Sequence, residues 1–268
     1  MSDINTYADE TAIAGLSPIN GDLVLNQADS SLYLCTNADT TGIARWKKFA
    51  NDSAAIPFSN NYSLALDGSV DHATLDSTYP SITGSKSISG WFRFNNTSMN
   101  GFTTTTANQY GILFWTADTV FFRTGGGPRT FTLSSAITTN TWYHIAFTGD
   151  GTSLKCYVNG AQSGTTQTDG DWQIKEFFRG GTSFYFGGDV DEIALWENTA
   201  LSGTDIATIA NAGAPSGSKA IDLANYTGLT NWWRMGDSDG GQGTTITDVI
   251  GGNDLTTSHT NPFIEETP

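Results

Sequence analysis

The sequence predicts an all-β protein: an antiparallel β-sandwich with one short helix, preceded by a small N-terminal β module. Three observations predict it. Aromatic residues reach 12% while charged residues are only 15%, and glycine is abundant, a composition that favours turn-rich pleated structure over helices or disorder. From Tyr62 onward, short runs of alternating apolar and polar residues recur between turn signals. Helix-start and helix-stop signals coincide at one place, "SGTDIATIANAG". At 268 residues, the chain has room for one large sandwich and a smaller companion.

Residues 1–52 read as the separate module. "NGDLVLNQADSSLYLC" gives two short strands about a polar turn and "GIARWKKFA" a third; a linker follows at 53–61, and the sandwich occupies 62–268. Its strands are "SLALDG", "SISGWFRFN", "YGILFW", "TVFFRTGG", "TWYHIAFTGDG", "SLKCYVNG", "SFYFGG" and "VDEIALW". In "TWYHIAF", Tyr143, Ile145 and Phe147 share one face while Trp142, His144 and Ala146 share the other. Asn159 and Gly160 supply the positive φ angles that a tight hairpin needs. "RTGGGPR" lacks the Lys-Ser/Thr ending and following helix of a phosphate loop, and reads as a connection between strands. For the helix, Ser202 caps the N-terminus, Asp205 sits three residues on, and Gly213 ends it. "GLTNWWRMGDSDGGQGTTITDVIGGNDL" then returns to strand and turn chemistry, which is expected to close the sandwich.

A formal charge of −15 and a pI of about 4.2 repel phosphate backbones and anionic membranes, so nucleic acid is excluded as a partner. No apolar run of 18 residues occurs, so membrane insertion is not expected. "MSDINTYADETAIAG" has neither a basic n-region nor an apolar h-region, and no secretion signal is expected. Cys156 shares a strand face with Leu154 and Val158 as a small buried hydrophobe; no disulfide with Cys35 is expected.

Several strings together resemble the concanavalin A-like lectin/glucanase superfamily, in its laminin G-like or pentraxin-like branch. They are "SLALDGSVDHATL", "SISGWFRF", the hairpin "TWYHIAFTGDGTSLKCYVNGAQSG", and "GDVDEIALWENTALSGTDIATIANAG", a strand followed by the short helix. The resemblance covers roughly Tyr62 to Thr257 and implies a jelly-roll sandwich. "WWRMGDSDGGQGTTITDVIGGNDL" is similar to an element of such domains often met at their N-terminal side, which implies a permuted or extended closure. The first fifty residues, with "GDLVLN", "SLYLC" and "RWKKF", are similar to a small module of bacteriophage virion proteins. Together these resemblances imply a non-enzymatic virion structural protein, a capsid decoration or fibre-like appendage. Such a protein assembles in the host cytoplasm with other virion proteins, and by analogy as a homo-oligomer, with a trimer the guess. The alternative is an adhesin for a host surface glycan; a polysaccharide-degrading enzyme is the third reading.

The stretch "GGDVDEIALWENTALS" decides between these readings at the level of chemistry. Retaining glucanases of the resembled superfamily carry alternating carboxylates on one strand face. Here alternation puts Asp189 and Asp191 on a face that continues as Ile193 and Leu195, with Glu192 on the other, so the nucleophile and acid/base pair is missing. Asp191 on such a face asks for a cation or for several backbone donors. The resemblance implies a calcium ion at the sandwich rim, with Asp67, Asp71, Asp189, Asp191 and Asp237 as candidate ligands. His144 reads as a strand residue beside Trp142, and His72 and His259 as isolated. In "TDGDWQIKEFFRGGTSFY", Trp172, Phe177, Phe178 and Tyr185 are candidates to stack on sugar rings, to fill a subunit interface or to fold back on the core. Trp115 and Trp232 are assigned to the core.

Overall fold

The computed structural model describes residues 58–260 and 262–268, together with the backbone of four strands nearer the N-terminus. The chain divides into two compact units, Met1–Phe58 and Ser59–Pro268. In the first, strands Asn5–Tyr7, Leu23–Asn26, Leu32–Ala38 and Ala44–Lys48 form one sheet in sequence order. Its first pair is parallel and the other two antiparallel. The three expected strands are present, joined by Asn5–Tyr7 at the edge. Residues 53–57 of the expected linker lie outside the described residues.

The second unit is the antiparallel sandwich. Its largest sheet runs, edge to edge, through Ala161–Gln162, Ser153–Val158, Trp142–Asp150, Ser85–Phe94, Gly187–Glu197, Ser63–Asp67 and Phe263–Ile264. Asn231–Trp233 also pairs with Gly187–Glu197, so the C-terminal tract does supply closing strands, as does Phe263–Ile264. A second sheet carries Ala73–Ile82 and Trp172–Phe177, and a third carries Gly127–Thr132, Thr119–Thr124, Ile112–Thr116 and Asn100–Gly101. The core is aromatic. Phe92 meets Phe102 at 4.8 Å between ring centres, Phe94 meets Phe114 at 5.1 Å, and Phe122 meets Phe147 at 5.1 Å. Edge-on and tilted contacts of this kind add to the area the rings bury.

An antiparallel sheet commonly leaves one face to solvent. Here the outer face of the large sheet is buried as well. Trp91, Trp142, His144, Ala146, Ala194 and Trp196 are buried there, and Ile209 of the helix Gly203–Ala210 with Ile221 and Leu223 of the chain that follows it meets Trp91 and His144. Both faces of "TWYHIAF" are therefore interior, although the alternation assigns its residues as expected. Asn159 (φ 48°) and Gly160 (φ 83°) form the tight hairpin, and a Cβ on Gly160 would approach Ala207 Cα to 3.0 Å, so the helix rests directly on that turn. Ser202 and Asp205 make a reciprocal capping box. The helix stops earlier than expected: Asn211, not Gly213, adopts the left-handed conformation and donates its N–H to the Ala207 and Thr208 carbonyls. Asparagine tolerates that conformation, so no glycine is required. Among the described residues no helix is long and apolar enough to cross a membrane.

Candidate functional site

The acidic strand is the natural starting point, and a β-bulge rearranges it. Asp191 lies opposite Trp91 and Ala194 opposite Ser89, so three steps on one strand match two on the other. Glu192 takes φ 49° to accommodate the extra residue. The bulge shifts the phase of everything after it. Ile193 and Leu195 join Val190 in the core, whereas Asp189, Asp191, Ala194 and Trp196 face outward. The expectation that Asp191 shares a face with Ile193 and Leu195 is thus corrected.

The five candidate calcium ligands do not gather. Asp67 caps its own loop, accepting from the backbone N–H groups of Ser69, Val70 and Asp71. Burial pushes its carboxyl up, but the Ser69 hydroxyl and these three N–H groups outweigh it and hold the carboxyl well below the usual range. Asp71 accepts from the Asp67 N–H at 3.0 Å. Asp189 is neutralised by Arg93 at 2.6 Å, and Arg93 also forks onto Glu266. Asp191, with no exposed surface, accepts from Asn60 Nδ2 and from the Glu192 N–H, each at 2.8 Å. Asp237 accepts from the N–H of Asn61 at 2.9 Å and from that of Tyr62. Among the described residues no three His, Cys, Asp or Glu side chains converge as a metal would require. Each of the five accepts hydrogen bonds from protein donors.

Glu192 is buried and accepts from the Trp232 indole and from Arg234 Nε at 3.3 Å. Burial raises its pKa to about 7 against the pull of Arg234, and burial beside Glu192 raises that of Asp191 well above the carboxylate range. His144 is likewise interior, edge-on to Trp91 at 5.3 Å, and burial lowers its pKa to about 3, so it is neutral at neutral pH.

The aromatic candidates also move. Trp172, Phe177 and Phe178 are each at most 1% exposed and fold back on the core, where no ligand in solvent reaches them. Tyr185 is half-buried, with the Arg179 guanidinium 5.8 Å from its ring centre. Trp232 is buried as expected, but Trp115 is 39% exposed. Alternation accounts for it: Ile112 and Phe114 point into the core, so Trp115 stands on the outer face with Phe121, and the register jump between Phe114 and Thr116 leaves it opposite no residue.

Trp115 heads a file of rings on the outer face of the third sheet. It meets Phe121 at 5.7 Å, Phe121 meets Tyr110 at 6.2 Å, and the Arg123 guanidinium lies 4.6 Å from the Tyr110 ring centre. Val120, Phe122 and Thr124 of the same strand point inward, which is why Phe121 and Arg123 stand together outside. Beyond Arg123 the file opens into a groove of about 220 Å³ lined by Thr105, Gln109, Arg123, Thr124, Asp171 and Gln173, with Gly125 and Gly127 at the hairpin turn. Gly127, at φ 101°, permits that turn. Thr106 Oγ1 donates to Gln173 Oε1 at 2.9 Å, and Ser81 Oγ to Asp171 Oδ2 at 3.1 Å, so both walls are braced. Arg123 Nε is buried without a hydrogen-bond partner among the described residues. A wider depression of about 430 Å³ near Tyr226 has no such cation, and its Asp205 is committed to the helix cap. Sequence reasoning missed this groove, although the alternation of "TVFFRT" already places Phe121 and Arg123 on one face.

A chain with this sandwich and an aromatic, polar-rimmed groove on its surface has the build of a lectin-like protein. The family profile of the concanavalin A-like lectin/glucanases superfamily matches residues 67–207, just over half of the chain, and the chain belongs to that superfamily. Among solved structures, a Bacteroides ovatus protein assigned a carbohydrate-binding role is 15% identical, with a TM-score of 0.54 over 93% of this chain and 70% of that one. A heptameric pentraxin of Limulus polyphemus is 12% identical, with a TM-score of 0.49 over 75% of this chain and 97% of that one. Domain 4 of an extracellular arabinanase of Geobacillus stearothermophilus, solved with arabinotriose, is 21% identical, with a TM-score of 0.33 over 48% of this chain and 69% of that one. At 15% identity the likeness to the Bacteroides ovatus protein is one of fold. No curated protein matches the chain.

Proposed function

We propose that the chain is a non-enzymatic, glycan-binding protein carried on a bacteriophage virion, and that its lectin-like unit meets sugar through the aromatic file and the adjoining groove. The observation that carries this reading is Trp115, a large apolar ring held 39% exposed at the head of a file that ends in polar side chains. Sugar rings offer apolar faces to stack and hydroxyls to hydrogen-bond, and such a surface answers both. The non-enzymatic part is supported by the missing alternation of carboxylates and by the engagement of Asp191 and Glu192 with Asn60, Trp232 and Arg234. Virion placement is supported by the resemblance of "GDLVLN", "SLYLC" and "RWKKF" to a phage module.

A glycan array probed with the full chain, with and without calcium, tests the reading. Binding should survive chelation and fall at least about ten-fold, or about 1.4 kcal/mol, in Trp115→Ala. An array with no binding in either condition removes the glycan role. Release of reducing ends from host polysaccharide would instead reinstate an enzyme, and absence of the protein from purified particles would end the virion assignment.

A further inference from the structure

Arg123 is the exception among the arginines of the sandwich. Arg93 is paired with Asp189 and Glu266, Arg179 with Glu176, and Arg234 with Glu192. Arg129 donates to the carbonyls of Thr168 and Gly126. Each of these four arginines thus has carboxylate or carbonyl acceptors for its guanidinium. Arg123 has no ion pair among the described residues; its Nε is buried without a hydrogen-bond partner there, and its guanidinium lies 4.6 Å from the Tyr110 ring centre. Packing on a ring face fixes the plane of a guanidinium and leaves its edge, with a fork of N–H donors, for a planar two-oxygen acceptor.

We propose that the groove binds a sugar bearing a carboxylate, with Arg123 gripping the carboxylate and the ring file carrying the neighbouring sugar rings. This rests on the glycan reading above and narrows it. Asp171 lines the same groove, so a phosphate ester, close to doubly charged, meets repulsion that a singly charged carboxylate meets less strongly, and a tetrahedral sulfate ester matches the planar fork less well. Asp171 also offers an acceptor for sugar hydroxyls. Gln173, whose Oε1 is taken by Thr106, has its amide NH₂ left to donate.

Calorimetric titration of the full chain tests the inference without any variant: trigalacturonate against its methyl ester, and sialyllactose against lactose. The acid of at least one pair should bind ten-fold or more tightly than its neutral counterpart, and whichever pair shows the preference identifies a uronate or a sialate. Arg123→Gln should abolish the preference and Arg123→Lys restore only part of it, because an ammonium cannot fork. Equal affinity for acid and neutral forms, or a preference that survives Arg123→Gln, overturns the inference. If Trp115→Ala still weakens binding of the neutral sugars in that case, the glycan reading stands alone. A carrageenan oligosaccharide, sulfated but free of carboxylate, that binds more tightly than either acid also overturns it. No binding to any glycan, on the array or by calorimetry, overturns both together.

Discussion

Glu192 and His144 line one small space with Trp91 beneath the helix, yet they respond to pH with opposite signs. A carboxyl raised from 4.5 to about 7 makes the native state the better proton binder, so its stabilisation is present below pH 4.5 and lost as pH rises toward 7. His144, lowered from 6.5 to about 3, is protonated first in the unfolded chain. Its contribution is present above pH 6.5 and lost as pH falls. Between pH 4.5 and 6.5 the two oppose; above 6.5 the carboxyl acts without the histidine. Glu192→Gln should therefore steepen the gain in stability from pH 5 to 6.5 and recover up to about 3 kcal/mol at pH 8, given roughly 1.4 kcal/mol per pKa unit. Urea melts across the range measure this, and an unchanged profile would assign the titration elsewhere. Asp191, raised by the same burial, keeps part of the acid slope in that variant. The sequence showed the need of Asp191 for donors, because a buried carboxylate always has it. It could not name Asn60, 131 positions away, as one of them.

The elements legible in the sequence are those whose chemistry is local. The cap at Ser202 and the Asn159–Gly160 turn each depend on a few adjacent residues, and both form as expected. The bulge at Glu192 depends on the register of Ser85–Phe94, far along the chain, and no local pattern announces it; the irregularity at Trp115 sits in the tight hairpin with Thr119–Thr124. The first returns Ile193 and Leu195 to the core beside Val190 and leaves Asp191 on the opposite face; the second leaves Trp115, already outward by alternation, opposite no residue. Two glycines at the helix separate a legible feature from an illusory one. Gly160→Ala places a side chain at φ 83° and 3.0 Å from Ala207 Cα, so it should destabilise by about 1–3 kcal/mol through left-handed strain and displacement of the helix. Gly213→Ala meets nothing within 4 Å and should stay within about 0.5 kcal/mol of the parent. Denaturation monitored by tryptophan fluorescence distinguishes them, and a costly Gly213→Ala would mean that the helix stop lies there after all.

At the scale of the molecule, the sandwich closes around a segment that precedes its first strand. Asn60 donates to the fully buried Asp191, Asn61 and Tyr62 donate to Asp237, and Arg234 and Thr267 donate to the carbonyls of Ser59 and Asn60. Composition alone set the boundary at Tyr62, because "NDSAAIPFSNN" carries turn residues and no strand alternation. Physically, those polar side chains are the donors that the acidic strand lacks. A chain truncated to begin at Ser59 should therefore melt cooperatively with these contacts intact. One beginning at Tyr62 should lose on the order of 2–4 kcal/mol, since stripping a hydrogen bond from a buried charged group costs more than the bond contributes. The loss should also depend on pH in a diagnostic way. Without Asn60 the Asp191 carboxyl is raised further, so the shorter chain regains stability as pH falls toward the ordinary carboxylate range. Urea titration of both truncations at pH 5 and pH 7 measures the difference. Equal stability of the two at pH 7 would show that Asp191 finds its donors elsewhere and that residues 59–61 are a linker, as composition suggested.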